Sequence, residues 1–353
     1  MILHIFNNQK KFSKGYFQML SDHGVTFENM KLIHYGKKDN FFKNLGLETI
    51  FISNFFNPFA NMKLIKPLFR TEKIIVHSLA SPYLLVMIAL FPSIAKKIYW
   101  VIWGKDLYFF HTLKHPKIHH KIYETLRKSA IKKITKTCSI FKEDYELVCK
   151  WYNIHPDNIE MITLYPYALD KRNEIARKQY SAEENRLTIL LGNSASSTNN
   201  HIEALEILAT HSDNIEKIIC PLSYGGSSKY VKKVLEIGKK IFGDKFCPLC
   251  DFMPQKEYFE LMDSVDVGVY NYDRQEGLGN IWSLILNGKT VYMKHETSTT
   301  AFFKRKGIEV KDIKDCREKG IVLLPEKTLK INEERLSPLI GVDISMNKWL
   351  RVL

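Results

Sequence analysis

Residues 266–293 carry a pattern that recurs along the chain: an apolar run, a small polar loop, a helical period and a second apolar run. Val265, Val267, Val269 and Tyr270 form a β-branched and aromatic run that stops at Asn271 and Asp273, which predicts a buried strand ending there. The loop Arg274-Gln275-Glu276-Gly277-Leu278-Gly279-Asn280 follows. An apolar helical segment over 281–286 comes next, closed by Asn287-Gly288 at a C-cap position, and then a strand over 290–293. A glycine-bearing loop that opens a helix at the carboxyl end of a strand aims N–H groups and the helix dipole at an anion. A Gly-x-Gly turn alone is weak, so its neighbours decide the matter.

The second half of the chain repeats the pattern. A strand over 187–191 runs into Gly192-Asn193-Ser194-Ala195-Ser196-Ser197-Thr198-Asn199-Asn200-His201 and then a helix over 202–208. This second loop offers hydroxyl and amide donors at a helix start. A strand over 217–221, a loop over 222–226, a helix over 229–241, a strand over 246–249 and a helix over 255–262 complete the series. Such a run of βα units predicts a parallel sheet with helices on both faces.

The first half predicts strands over 3–6, 31–35, 49–52, 73–77 and 97–103, with helices over 12–20, 82–91 and 116–134. His77 falls where a strand gives way to a loop, on the side where parallel sheets bind ligands. A titratable group there suits catalysis; a hydrogen-bonded structural histidine is the competing reading. Asp106 also follows a strand, three residues after Trp103. Its carboxylate would accept a proton from a sugar hydroxyl while Trp103 stacks on a sugar face, or else Asp106 caps the next segment. In the 116–134 helix, Ile118, Ile122, Tyr123, Leu126 and Ala130 are expected to face the core. Lys114, Lys117, Lys121, Lys128 and Lys132 gather on the other side.

Composition sharpens this picture. The 353 residues, 45% hydrophobic and 25% charged, suit a globular protein of two domains, with the polar stretch over 170–186 as the link. The net charge of +14 is confined to one half: residues 1–180 hold 28 Lys and Arg against 14 Asp and Glu, while the rest balances at 24 each. Two domains with different partners follow, and the basic helix gives Lys117, Lys121, Lys128 and Lys132 a choice between a solvated face and contact with anionic lipid. No nucleic-acid module accompanies the charge, so nucleic acid is not an expected partner. The stretch MILHIFNNQKK reads as a first strand, not a signal peptide. The apolar run over 82–95 is shorter than a spanning helix needs and is broken by Pro92, so any membrane association is expected to be peripheral. Six scattered cysteines suit a reducing compartment, and Cys247-Pro248-Leu249-Cys250 lacks the partners of a zinc site.

The order of these motifs resembles the donor-binding half of GT-B glycosyltransferases, an α/β class with two facing Rossmann-like domains. More closely, WVIWGKDLY, LLGNSASSTNNHIEAL and RQEGLG together resemble the bacterial 4-acetamido-4,6-dideoxygalactose transferase family of enterobacterial common antigen synthesis, over roughly residues 76–293. That resemblance implies transfer from a TDP-linked sugar to an undecaprenyl-diphosphate-linked oligosaccharide at the cytoplasmic face of the inner membrane, with no cofactor. By matching positions, Gly192, Asn193, Ser194, Asn199, His201, Gln275, Glu276, Gly277, Gly279 and Asn280 would lie at the donor. Tyr224, Phe252 and Met253 would sit near the base. For the proton acceptor, Asp106 is the first candidate and His77 the second, both on the crevice side of the first domain, and Trp103, Gly104 and Tyr108 are the expected acceptor contacts. The chain departs from the pattern at Leu284, where many donor halves carry a second glutamate. The implied domains are residues 1–175 for a basic, membrane-facing acceptor domain, 187–335 for the donor domain and 336–353 for a tail or helix.

The chemistry is consistent with that resemblance. Sugar transfer passes through an oxocarbenium-like state and must stabilise a departing nucleoside diphosphate, which two helix N-termini can do. No Asp-x-Asp pair is present, so metal-independent transfer is expected. Competing readings are a non-catalytic nucleotide-sugar-binding protein, an epimerase or hydrolase of the same fold, and a GDP-fucose-dependent fucosyltransferase.

Overall fold

A computed structural model describes residues 1–7, 10–154, 159–162 and 186–353. The chain divides into two compact units, Met1–Tyr167 with Ile340–Leu353, and Ala168–Leu339. Apart from Arg186, the expected link over 170–186 lies outside the described residues, as does the expected end of the first domain at 175.

The first unit holds strands β1 (Ile2–Phe6), β2 (Met30–Tyr35), β3 (Glu48–Ile52), β4 (Lys73–His77), β5 (Ile98–Val101), β6 (Lys136–Ser139) and β7 (Ile159–Met161). All pairings are parallel, in the order β3-β2-β1-β4-β5-β6-β7. Strands β1 and β4 are buried at every position after the first, as expected when helices cover both faces of a parallel sheet. The stretch expected as a tail or helix contains helix Val342–Leu350, which joins this unit: Trp349 packs edge-on against Tyr16 of helix Lys10–Asp22, centroids 4.8 Å apart.

The second unit holds β8 (Leu187–Leu191), β9 (Ile215–Pro221), β10 (Phe246–Leu249), β11 (Val267–Tyr270), β12 (Thr290–Met293) and β13 (Lys311–Asp312). Its order is β10-β9-β8-β11-β12-β13, again all parallel. Numbered from β8, this is the doubly wound order 3-2-1-4-5-6, whose direction of winding reverses between β8 and β11. Gly268 in β11 keeps helix Leu278–Leu286 close, because a Cβ there would meet Leu284 Cδ1 at 2.5 Å.

The sequence pattern misplaces three features. The helix expected over 281–286 begins at Leu278, so Gly279 and Asn280 form its first turn; Gly277, at φ 67°, supplies the left-handed residue before it. Strands β6 and β7 and helix Lys142–Tyr152 extend the first sheet beyond the elements expected there. The helix expected over 116–134 spans Ile118–Ile131 and is rotated: Ile118 and Ile122 are exposed, while Glu124 and Arg127 are buried. Arg127 explains the rotation. It donates to the Leu79 carbonyl at 2.8 Å, to Glu124 Oε2 at 3.2 Å, to the Tyr152 hydroxyl at 3.3 Å and to the Asp106 carbonyl. A guanidinium with that many acceptors can be buried, and the helix turns to bury it. The five lysines, Lys114, Lys117, Lys121, Lys128 and Lys132, are exposed as the pattern requires.

Candidate functional site

In a doubly wound sheet the ligand crevice opens beyond the carboxyl ends of the two strands that flank the reversal. In the second unit these are β8 and β11, and each is followed by one of the two polar loops. Both loops turn on left-handed residues, Gly192 (φ 72°) and Asn200 (φ 49°) after β8, Gly277 after β11. Helices His201–Ala209 and Leu278–Leu286 then start without a side-chain cap, whereas helices Ser228–Phe242 and Ser298–Lys306 are capped by Ser227 and Thr297. No N-cap side chain competes for the first N–H groups at the reversal, although the His201 N–H itself donates to the Tyr230 hydroxyl at 3.3 Å.

The two loops are latched together. Tyr272 donates its hydroxyl to Asn193 Oδ1 at 2.8 Å, and Thr198 donates to Glu276 Oε1 at 2.5 Å. Between main chains, Asp273 N donates to the Thr198 carbonyl at 3.0 Å, and the Asn200 side chain donates to the Asn271 carbonyl at 3.0 Å. Asn199 Oδ1 accepts from Asn193 N at 3.0 Å and fixes the first turn of its own loop. The glycines are needed for this fit: a Cβ at Gly192 would stand 2.6 Å from Asn199 Oδ1 and 2.7 Å from His201 Nε2, and one at Gly277 would stand 2.6 Å from the Tyr272 hydroxyl oxygen.

Charge in the latch is balanced internally. Arg274 donates to Glu276 Oε2 at 2.8 Å and Lys294 to Asp273 Oδ1 at 2.6 Å. Burial nevertheless raises the Glu276 carboxyl above its ordinary pKa, against the pull of Arg274 and Thr198. His201 opens its helix with Nδ1 3.0 Å from the Tyr230 hydroxyl and Nε2 buried without a protein partner. Burial lowers its pKa to about 4, so the ring is neutral at pH 7.

Among the expected donor residues, Gly192, Asn193, Ser194, Asn199, His201, Glu276 and Gly277 share this latch or its immediate loops. Tyr224 joins them: its carbonyl accepts from Ala195 N at 2.7 Å, Asn193 Nδ2 donates to its hydroxyl at 3.4 Å, and Gly225 lies over Ser194. Gln275 is buried in the β11 loop, and Gly279 lies in the helix's first turn. Asn280 instead ties two helices, donating to the Tyr258 hydroxyl at 2.7 Å. Phe252 and Met253 follow β10, an edge strand, with Phe252 exposed. Thr198, Tyr272, Arg274 and Tyr230 were not singled out from the sequence. Thr198 and Arg274 lay inside the quoted loops, but nothing in a linear sequence pairs Thr198 with a residue 78 positions away.

In the first unit both expected proton acceptors, Asp106 and His77, are buried among partners. The Asp106 carboxylate is buried and accepts three hydrogen bonds, from Leu79 N at 2.8 Å, Trp100 Nε1 at 2.7 Å and Trp103 N at 2.9 Å. It ties the loops after β4 and β5, the structural role that competes with proton transfer. His77 is fully buried, stacked on Phe6 with centroids 3.6 Å apart, with Nε2 3.2 Å from His4 Nδ1. Burial holds its pKa well below the ordinary value. Of the expected acceptor contacts, Trp103 is half-buried against Phe6 and Phe12, and Gly104, at φ 76°, opens the short helix Lys105–Tyr108. Tyr108 is buried and donates to Asp144 at 2.8 Å.

Two α/β units of this winding, one with a latched pair of glycine loops at its reversal, have the GT-B fold. A family model described as 4-alpha-L-fucosyltransferase, glycosyl transferase group 56, matches residues 65–326, and the chain belongs to that family. It is a glycosyltransferase. Solved structures share the fold at low identity. A glycosyltransferase from Rickettsia africae aligns with a TM-score of 0.67 at 14% identity, covering 99% of this chain and 97% of its own. Anabaena HepE in complex with UDP and glucose aligns at 0.66 and 11% identity, covering 99% and 98%. WaaG, a glycosyltransferase involved in lipopolysaccharide biosynthesis, aligns at 0.56 and 10% identity, covering 100% and 94%.

Proposed function

We propose that the chain moves a fucose-type deoxy-aminosugar, 4-acetamido-4,6-dideoxygalactose or a close relative, from a TDP-linked donor to an undecaprenyl-diphosphate-linked oligosaccharide. The setting is surface-polysaccharide synthesis, of enterobacterial common antigen or O-antigen, at the cytoplasmic face of the inner membrane. The latch of the β8 and β11 loops carries the donor half of this reading. Glycines at 192 and 277 let backbone approach a diphosphate, and helices starting at His201 and Leu278 direct their N–H groups at its charge. His201 Nε2, buried and unpartnered, would bond to a phosphate oxygen as a neutral donor. Anabaena HepE, of the same fold, has been solved with UDP and glucose.

The negative charge that grows on the leaving diphosphate is then met by preorganised donors, and transfer is metal-independent. Tyr224, Phe252 and Met253 would hold the base. Trp103 and Gly104 would meet the acceptor, in loops that Asp106 fixes through its bonds to Leu79, Trp100 and Trp103. Lys117, Lys121, Lys128 and Lys132 would face anionic headgroups, and nucleic acid is no partner. The test is a panel of TDP-, UDP- and GDP-linked sugars with a lipid-diphosphate acceptor, read by mass spectrometry. Turnover with TDP-linked 4-acetamido-4,6-dideoxygalactose supports the reading; its absence in the presence of other turnover refutes it. Membership of the fucosyltransferase family favours one second reading, a fucosyltransferase using GDP-fucose. Turnover with that donor alone would establish it.

A further inference from the structure

Large apolar side chains are exposed together in one region of the first unit. Phe56, Phe59 and Met62 are 76%, 79% and 61% exposed, and Leu90, Ile118 and Ile122 are exposed to a similar extent. They come from three segments that hydrogen bonds hold side by side. Tyr83, in the first turn of helix Pro82–Leu90, donates to the Phe56 carbonyl at 2.9 Å, and Tyr123, beside Ile122, donates to the Ala80 carbonyl at 2.6 Å. The turn that displays Phe56 and Phe59 is rigid. Buried Asn61 donates to the carbonyls of Asn54, Phe55 and Asn57 and accepts from the Tyr35 hydroxyl at 2.8 Å. Helix Pro82–Leu90 shows apolar Val86 and Leu90 on its outward side and is apolar all round, a pattern that water alone does not favour.

The charge around this face has one sign. Residues 56–133 contain fourteen Lys and Arg against three Asp and Glu, and two of those acids, Asp106 and Glu124, are buried. Glu72 is the one exposed carboxylate of the region, and it pairs with the Met1 amine at 3.1 Å. On the outer side of helix Ile118–Ile131, Ile118 and Ile122 alternate with Lys121, Lys128 and Lys132.

We propose that this face seats on an anionic lipid bilayer, with Phe56, Phe59, Met62, Leu90, Ile118 and Ile122 inserted at the boundary of headgroups and acyl chains and the lysines on the phosphates. Interleaved apolar and basic groups suit a surface whose charge is diffuse and whose interior is apolar. A nucleic acid would satisfy the lysines but leave Met62, Leu90 and the two isoleucines against phosphates. The attachment is thus an apolar insertion, which salt does not screen, added to the electrostatic contact of the lysines. The inference rests on the membrane-facing reading of these lysines proposed above and extends it to the apolar side chains beside them.

The test is sedimentation with vesicles of phosphatidylcholine alone or mixed with phosphatidylglycerol, without any acceptor, at 0.1 and 0.5 M salt. The protein should bind the mixed vesicles and keep a measurable part of that binding at the higher salt. The double variant Phe56→Ser/Phe59→Ser should lose affinity by about a hundredfold, roughly tenfold per aromatic side chain withdrawn, at both salt concentrations. Lys117→Gln/Lys121→Gln/Lys128→Gln should lose most of its affinity at 0.1 M and little more at 0.5 M. Both variants change exposed side chains, and unchanged melting temperatures confirm the fold. Affinity of the double Phe variant within twofold of wild type overturns the proposal, as does tight binding to heparin with none to vesicles. Failure of every donor in the transfer assay would overturn the proposed reaction and leave the vesicle result standing.

Discussion

Replacing Gly277 with alanine strikes the latch at one atom. The residue sits at φ 67°, where an L side chain costs about 1–2 kcal/mol. The new Cβ would also lie 2.6 Å from the Tyr272 hydroxyl oxygen and 3.1 Å from Asn193 Cγ. The phenol must therefore leave Asn193, and a buried hydroxyl without its partner costs about 1–3 kcal/mol. A loop displaced in the free protein has to be restored before a diphosphate can bind, so part of this cost reappears in affinity. If about 2 kcal/mol does, the dissociation constant for the cognate nucleoside diphosphate rises by about 30-fold. Isothermal titration of TDP, UDP and GDP measures it. Gly243→Ala is the control for strain without a clash: its φ of 56° is also positive, at a ψ of −126°, but its Cβ would meet nothing within 4 Å. It should lose stability without losing affinity. A Gly277→Ala protein that binds within twofold of wild type would show that the latch does not shape the donor site.

Other outcomes follow from the same contacts. Asp106→Asn weakens a carboxylate with three donors and should lower the melting temperature while leaving kcat of the folded enzyme within about tenfold; a fall of 10²–10⁴ at unchanged stability would restore Asp106 as the base. Arg127→Met strands Glu124 and two carbonyls in the interior and should cost about 3–5 kcal/mol by urea unfolding, whereas a change below 1 kcal/mol would remove Arg127 as the reason its helix is rotated. Burial lowers His4 to about 3 and His34 to about 4, so the unfolded chain takes up protons below pH 6.5 that the folded chain refuses. Stability of the first unit should fall as pH drops from 6.5 toward 4; the raised pKa of buried Glu124 works the other way, and an unchanged urea midpoint between pH 7 and 5 would contradict the histidine assignment. EDTA should leave transfer intact, and restoration of a lost activity by magnesium or manganese would overturn metal-independent transfer.

Much of the donor half was legible in the sequence because its signals are local. Glycines at 192 and 277, the β-branched run before Asn271 and the small polar residues of 193–200 each report the conformation of their own loop. The tie between loops was not legible. Thr198 meets Glu276 and Tyr272 meets Asn193 only after the sheet order β8-β11 brings distant segments together. In the first unit, hydrophobic periodicity turned helix Ile118–Ile131 the wrong way. It counted Ile118 and Ile122 as core and had no means of knowing that Arg127 would find four acceptors inside. The same error concealed the exposed apolar face. His77 and Asp106 show the complementary limit: position after a strand marks where a ligand crevice lies, but the neighbours His4, Trp100 and Leu79 decide whether the group faces it.

The central claim is that the β8 and β11 loops together hold the diphosphate of a nucleotide sugar. Hydrogen–deuterium exchange with and without TDP, UDP or GDP tests it most directly, since the first N–H groups of both helices would be the bonded ones. Protection of both residues 192–203 and 275–281 by one of the nucleotides is the predicted result. Protection that misses either loop, with a nucleotide bound at saturation, would contradict it.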